Sequence, residues 1–252
     1  RQRQMCIRDS SSAGREPGSV AAFVELHIEQ APGLETAGNA IGIVSAITGL
    51  QRYQLTVLGV PAHAGTTLMK DRKDALCGAA EMVLAVEAAA RSEAAPTVAT
   101  VGRLVLTPNA TNVVPRKVCM DAEIRSCDPG ALERIGAALE ASGEKVAVDR
   151  GVGVTVDAVY AAPPQSFSPV VQRAIGDAAG ALGLSSGSTV SMAGHDAVHM
   201  GALADTGMIF IPCRAGLSHC PEEWAAPRDL LRGAQCLLLT LLNLDGLGNQ
   251  CR

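Results

Sequence analysis

The sequence predicts an α/β protein in which a compact ferredoxin-like α+β domain interrupts a larger α/β domain. Three observations predict it. Apolar and polar residues alternate with a period of two around residues 22–28, the signature of a half-buried strand. Residues 51–159 read in the order β-α-β-β-α-β, the split βαβ arrangement of a four-stranded antiparallel sheet with two helices on one face. After the linker AAPPQSFSP (residues 161–169), an α/β alternation resumes that belongs with the first strand.

The elements follow in order. Residues 1–19 have no hydrophobic periodicity and end in turn formers, and MCIRDS looks like translated adaptor DNA; they are read as a non-native or disordered leader. In AAFVELHIEQ, Val24, Leu26 and Ile28 alternate with Glu25, His27 and Glu29, which sets the histidine and both carboxylates on one strand face. A Pro/Gly turn at 31–33 leads to a second apolar strand at 41–47. The inserted domain, residues 49–159, then opens with an alternating strand at 51–60 and an alanine-rich amphipathic helix at 73–91. Strands at 97–106 and 117–126 are joined through TPNATNVVP. A helix at 129–142 has Asp128 as N-cap and Pro129 at its first position. The domain closes with a strand at 145–159 that Gly151 and Gly153 interrupt. The outer domain, residues 20–48 and 160–252, finishes with a helix at 170–182, a strand and loop at 189–198, a strand at 208–212, a polar loop at 213–223 and a helix at 227–242.

Composition narrows the function classes. Charged residues are 18% of the chain and the net charge is −4, which argues against a nucleic-acid or anionic-membrane footprint. Aromatics at 2% leave little to stack on bases or sugars, and no apolar run is as long as a membrane span. The eight cysteines form no CxxC pair, as expected of reduced, mostly buried thiols in a cytoplasmic protein.

The histidines carry the chemistry. His63 (GVPAHAGTT), His195 (MAGHDAVHMG) and His219 (RAGLSHCPEEW) sit among small or acidic residues rather than large apolar ones; His199 lies at a helical spacing from His195 and reads as structural. Each alone is more often a structural loop histidine than a ligand. His219 is the best ligand candidate, because it follows a strongly apolar strand, where open α/β sheets place their sites. Two histidines are still short of a catalytic zinc site, which takes three protein ligands and water.

Taken in order, ELHIEQ, the H-A-G loop with MKDRKDAL, NATNVVP, the Glu-Ile-Arg run, AGHDA and GLSHCPEEW resemble the M20-type metal-dependent amidases. The branch is that of N-carbamoyl-L-amino acid hydrolases, allantoate amidohydrolases and β-ureidopropionases. The resemblance covers residues 20–243 and implies a metallopeptidase-like catalytic α/β domain holding two divalent metals, Zn2+ or Mn2+ with Co2+ or Ni2+ as alternatives. It implies an inserted lid domain that forms a homodimer. It makes His27 a ligand of one metal and His219 of the other, and sets Gln30 and the Gly194 backbone against substrate. His63, Asn112 and Arg125 would hold the carboxylate and polarised carbonyl of a small ureido or carbamoyl acid in the partner subunit's site, His63 stabilising the oxyanion.

Two departures stand out. The family's Gln-Gly-Pro is here Gln30-Ala31-Pro32, tolerable unless the glycine needs a positive φ. The family's upstream His-x-Asp, bridging Asp and Glu-Glu pair have no counterpart before His27, so the chain reads as a C-terminal portion lacking three ligands and the general base. The alternatives are a catalytically inactive dimerising fragment and an aminoacylase or dipeptidase relative.

Overall fold

The structure, a computed structural model, describes residues 14–94 and 96–250, with side chains of the last helix described to residue 246. Residues 1–13 of the expected leader lie outside the described residues. Residues 14–19 lead into the fold through a turn at 17–18, where the Gly18 amide donates to the Leu203 carbonyl at 2.8 Å.

The elements run β1 (Ala22–Ile28), α1 (Gly33–Ala37), β2 (Ile41–Ile47), β3 (Gly49–Leu58), β4 (Ala62–His63), α2 (Ala75–Arg91), β5 (Thr97–Thr107), β6 (Val113–Val114), β7 (Lys117–Ser126), α3 (Pro129–Arg150), β8 (Gly153–Ala162), β9 (Gln165–Ser166), α4 (Pro169–Ala181), β10 (Ser186–Ser191), α5 (Ala197–Met200), β11 (Asp205–Ile211) and α6 (Pro227–Gln250). Short 3-10 turns occupy Met69–Asp71 and Arg214–Gly216. The chain divides into two compact units: residues up to Ile47 together with those from Gln165 onward, and Thr48–Pro164.

The first unit is a mixed sheet in the order β1-β11-β2-β10, with β9 added beside β2. β1 runs parallel to β11, β2 parallel to β10, and β2 antiparallel to β11. The period-two pattern of β1 divides its side chains as expected. Val24, Leu26 and Ile28 pack with Ile209 and Ile211 beneath α4 and α6. Phe23 joins Met208 and Phe210 on the other face, above which Ala197 of α5 also packs. Glu25 and His27 therefore share the Phe23 face, because alternate residues of a strand point the same way.

The second unit is a four-stranded antiparallel sheet in the order β5-β7-β3-β8, in the ferredoxin-like βαββαβ arrangement. α2 begins where the Asp74 carboxylate accepts the amides of Leu76 and Cys77, at 2.8 and 3.2 Å. It buries Ala75, Ala79, Met82, Val86 and Ala90, one helical face. α3 begins as the sequence predicts, with Asp128 accepting the Gly130 amide at 2.8 Å and Pro129 in the first turn.

The expected end of α3 is wrong. Residues 145–150, read as the start of the last strand, continue the helix to Arg150. Gly143 does not break it, because the space a side chain would fill is taken by the Val154 and Val156 methyl groups at 3.2 and 3.3 Å. Val146 is buried, and Lys145 pairs with Asp149 one turn on. The stop is Gly151, whose φ of 62° is the left-handed cap that glycine adopts without steric cost.

Among the described residues no helix is long and apolar enough to cross a membrane.

Candidate functional site

In the first unit, the end of β1 and the loop after β11 meet. His27 lies one residue before the end of β1, and its Nδ1 is 2.8 Å from the Ile28 carbonyl oxygen. A carbonyl can only accept, so Nδ1 carries the ring proton and Nε2 keeps its lone pair. That is the arrangement a histidine ligand needs, its outer nitrogen held by a backbone carbonyl. Three residues after His27, Gln30 takes a left-handed φ of 58° and its side-chain amide donates to the Ser218 hydroxyl at 2.8 Å. Ala31 is not among the left-handed residues, so the departure from the family's glycine carries no backbone penalty.

The loop after β11 is tied down along its length. The Arg214 amide donates to the Trp224 carbonyl at 2.9 Å, and the Arg214 guanidinium lies 4.4 Å from the Trp224 ring centroid. Gly216 has a φ of 68°, and a side chain there would start only 2.7 Å from the Ala31–Pro32 backbone, so none fits. His219 also has a left-handed φ, 58°, and its amide donates to the Glu223 carboxylate at 2.8 Å, as the Ser218 hydroxyl does at 2.9 Å. The His219 amide and the Ser218 hydroxyl hold the Glu223 pKa below its ordinary value. Glu223 thus links Gln30, Ser218 and His219.

Beneath His27 lies a network the sequence reading did not place in the site. The His195 ring stands edge-on to His27 with centroids 4.6 Å apart, and its side chain is only 2% exposed. Its Nε2 lies 2.8 Å from the Ser191 hydroxyl, which in turn donates to the Ala193 carbonyl at 3.0 Å. Its Nδ1 lies 3.6 Å from the Glu25 carboxylate, whose other oxygen accepts the Ala197 amide at 2.9 Å. Burial, and then the neighbouring His27, push the His195 pKa down to about 4, so the ring is neutral at pH 7. The signal in the sequence was Glu25 two residues before His27, but its partner is 170 positions away. Glu29 is a different case: it accepts the Leu34 amide at 2.8 Å and caps α1. Gly194 is exposed, and among the described residues nothing lies within 4 Å of where a side chain would start, so its backbone is open to approach.

In the second unit, β4 and β6 form a two-stranded ladder pairing His63 with Val113, and the Ala64 amide donates to the Asn112 carbonyl at 2.9 Å. His63 and Asn112 are therefore neighbours, both exposed. Arg125 lies elsewhere in the unit. It pairs in register with Leu50 at the start of β3, whereas the His63 loop leaves from the Leu58 end, eight residues or roughly 27 Å along the strand. Arg125 is ion-paired to Glu123 at 2.7 Å, and Glu123 also binds Arg52 at 2.8 Å.

Among the described residues no group of three or more His, Cys, Asp or Glu side chains is gathered closely enough to hold a metal ion. His27 suits one metal bond, its ring held by a backbone carbonyl, and His219 offers an imidazole on a loop that Glu223 ties down.

The family model for peptidase family M20/M25/M40 matches residues 5–243. An N-carbamoyl-L-amino-acid amidohydrolase of Paenarthrobacter aurescens is 38% identical over 234 residues, 93% of this chain and 57% of that protein. A ureidoglycolate hydrolase of Arabidopsis thaliana is 39% identical over 239 residues, 94% of this chain and 50% of that protein. The crystal structure of a hydantoinase/carbamoylase family amidase from Burkholderia multivorans superposes with a TM-score of 0.85 at 36% identity, covering 92% of this chain and 56% of that one. The chain spans about half the length of the relatives it matches.

Proposed function

The chain belongs to peptidase family M20/M25/M40, and on that footing we propose that it is the C-terminal portion of a metal-dependent amidohydrolase. Its reaction is hydrolysis of a linear amide or carbamoyl C–N bond in a small N-carbamoyl-L-amino acid or ureido acid such as allantoate. The names of the relatives, one acting on N-carbamoyl amino acids and one on ureidoglycolate, support this substrate class.

The observation that carries the reading is His27. Its Nδ1 is committed to the Ile28 carbonyl and its Nε2 is left as a lone-pair donor, on the strand end that meets the His219 loop. His27 and His219 would each bind one of two divalent ions, Zn2+ or Mn2+. When bound, the metals supply a Lewis acid that polarises the carbonyl and activates water. The chain's own residues do the rest. Glu223 and Gln30 fix the His219 loop, and the open Gly194 backbone lets substrate approach. In the partner subunit's site, His63 would donate to the oxygen that gains charge, with Asn112 beside it. Arg125, at the other end of its strand, would grip a carboxylate by the two-pronged hold of a guanidinium, in a different protomer's site from the one His63 enters. The family's remaining ligands and general base have no counterpart before His27.

For the second unit we propose the lid and homodimer role, which the exposed Val98, Leu104 and Val105 on its edge strand β5 support. Six described cysteines are unpaired thiols, which supports a reducing, cytoplasmic setting.

The test is hydrolysis of N-carbamoyl-L-amino acids and allantoate with added Mn2+ or Zn2+, with the solution mass measured alongside. The chain alone gives no turnover but forms a dimer; the protein extended upstream turns over. His219→Ala in the extended protein removes one metal by elemental analysis and abolishes activity. Unchanged metal content refutes the ligand assignment, and ordinary turnover by the 252 residues refutes the half-site. The second reading, a dimerising chain without catalysis, is favoured by the shortage of metal donors. It stands if the extended protein is also inert.

A further inference from the structure

The turn after β4 holds His63 in one tautomer. Its Nδ1 faces the backbone amides of Gly65 and Thr66, at 3.0 and 3.2 Å. Both amides are donors whose direction the peptide plane fixes, so Nδ1 has to present a lone pair. In the neutral ring the proton is then on Nε2. Gly65 also lies against the ring, 3.2 Å separating its side-chain position from the His63 Cε1 atom.

What keeps the Gly65 amide in place is seven residues further on. The half-buried Arg72 guanidinium donates through Nη2 to the Ala64 carbonyl at 2.5 Å and through Nε to the Thr67 carbonyl at 3.1 Å. The Ala64 carbonyl and the Gly65 amide belong to a single peptide group. In a trans peptide they point in opposite directions, so whatever fixes the carbonyl fixes the amide. One plane thus has the guanidinium on one side and His63 Nδ1 on the other, and the positive charge polarises the amide toward the ring. The turn is closed across the same residues by the Thr67 amide on the His63 carbonyl at 3.1 Å.

We infer that Arg72 is a positioning residue which, through the Ala64–Gly65 peptide, fixes His63 as a hydrogen-bond donor through Nε2. The consequence is a specific role: such a ring can donate to a carbonyl or carboxylate oxygen and cannot act there as a general base. This rests on the proposed function only in taking His63 to face substrate. Without Arg72 the peptide is free to rotate, bringing its carbonyl toward Nδ1 and favouring the other tautomer. Lysine would supply one point donor in place of a two-pronged fork.

Nitrogen-15 histidine spectra of the full chain, with His63 assigned through His63→Gln, read the tautomer directly. The expected wild-type result is an unprotonated Nδ1 and a protonated Nε2. Arg72→Gln shifts the population toward protonated Nδ1, and Arg72→Lys falls between. A protonated Nδ1 in the wild type, or unaltered His63 signals in Arg72→Gln, overturns the inference. If Arg72→Gln does not fold, the wild-type and Arg72→Lys spectra still decide. In the extended protein Arg72→Gln lowers kcat about tenfold, with no further loss when added to His63→Gln; additive losses overturn it. Absence of turnover bears on the hydrolase reading alone, since the spectra need no substrate.

Discussion

At the residue scale, the His219 amide donates to the Glu223 carboxylate, whereas the rings of His27 and His63 are oriented by backbone groups. Such partners are invisible in a sequence, because every residue has a carbonyl and an amide. His27 was legible because a period of two places it on a face; Glu29 lies in the same pattern yet caps a helix. His195 was legible only as a histidine among small residues, since its partner Glu25 is distant in the chain. Arg125 has a more local consequence. Burial works to raise the Glu123 pKa, but the hydrogen bonds from Arg52 and Arg125 outweigh it and the value is lowered below 4.5. The triad's stabilisation is therefore complete above the ordinary glutamate pKa and is lost as pH falls through the lowered native value. Thermal midpoints of Glu123→Gln are expected to fall less steeply than wild type between roughly pH 5 and pH 3. Parallel curves would remove that ion-pair contribution.

At the element scale, the ferredoxin-like unit is the most legible part, since its strands alternate and its helices carry N-caps. α3 starts where Asp128 says it should, whereas α2 starts at Ala75, capped by Asp74, two residues after the start expected at 73. The end of α3 escaped because Gly143 and Gly151 look alike in sequence: one is accommodated by Val154 and Val156 packing, the other takes the left-handed cap. That packing makes a prediction. Leu139 is fully buried on α3 within the cluster containing Leu55, Met82 and Met120. Leu139→Ala is expected to cost about 2–5 kcal/mol in denaturant unfolding, and a loss below about 1 kcal/mol would mean the core collapses around the gap.

At the scale of the whole molecule, the chain is two units, one nested in the sequence of the other. The pattern of strands and helices conveyed this nesting, because an α/β alternation broke off and resumed. The site was less legible, because it is assembled from residues nearly 200 positions apart, as with Gln30 and Ser218. Gln30 and His219 share one further property: both are non-glycine residues in left-handed backbone. Each conformation costs about 1 kcal/mol relative to glycine. Gln30→Gly is therefore expected to unfold at a higher temperature than Gln30→Ala, since both lose the Ser218 bond and only glycine is relaxed there; equal midpoints would count against it. Selection for thermal robustness alone would exchange these two residues for glycine early. A stabilised descendant of this chain would bear the mark of that history, a sturdier scaffold that had lost its chemistry first.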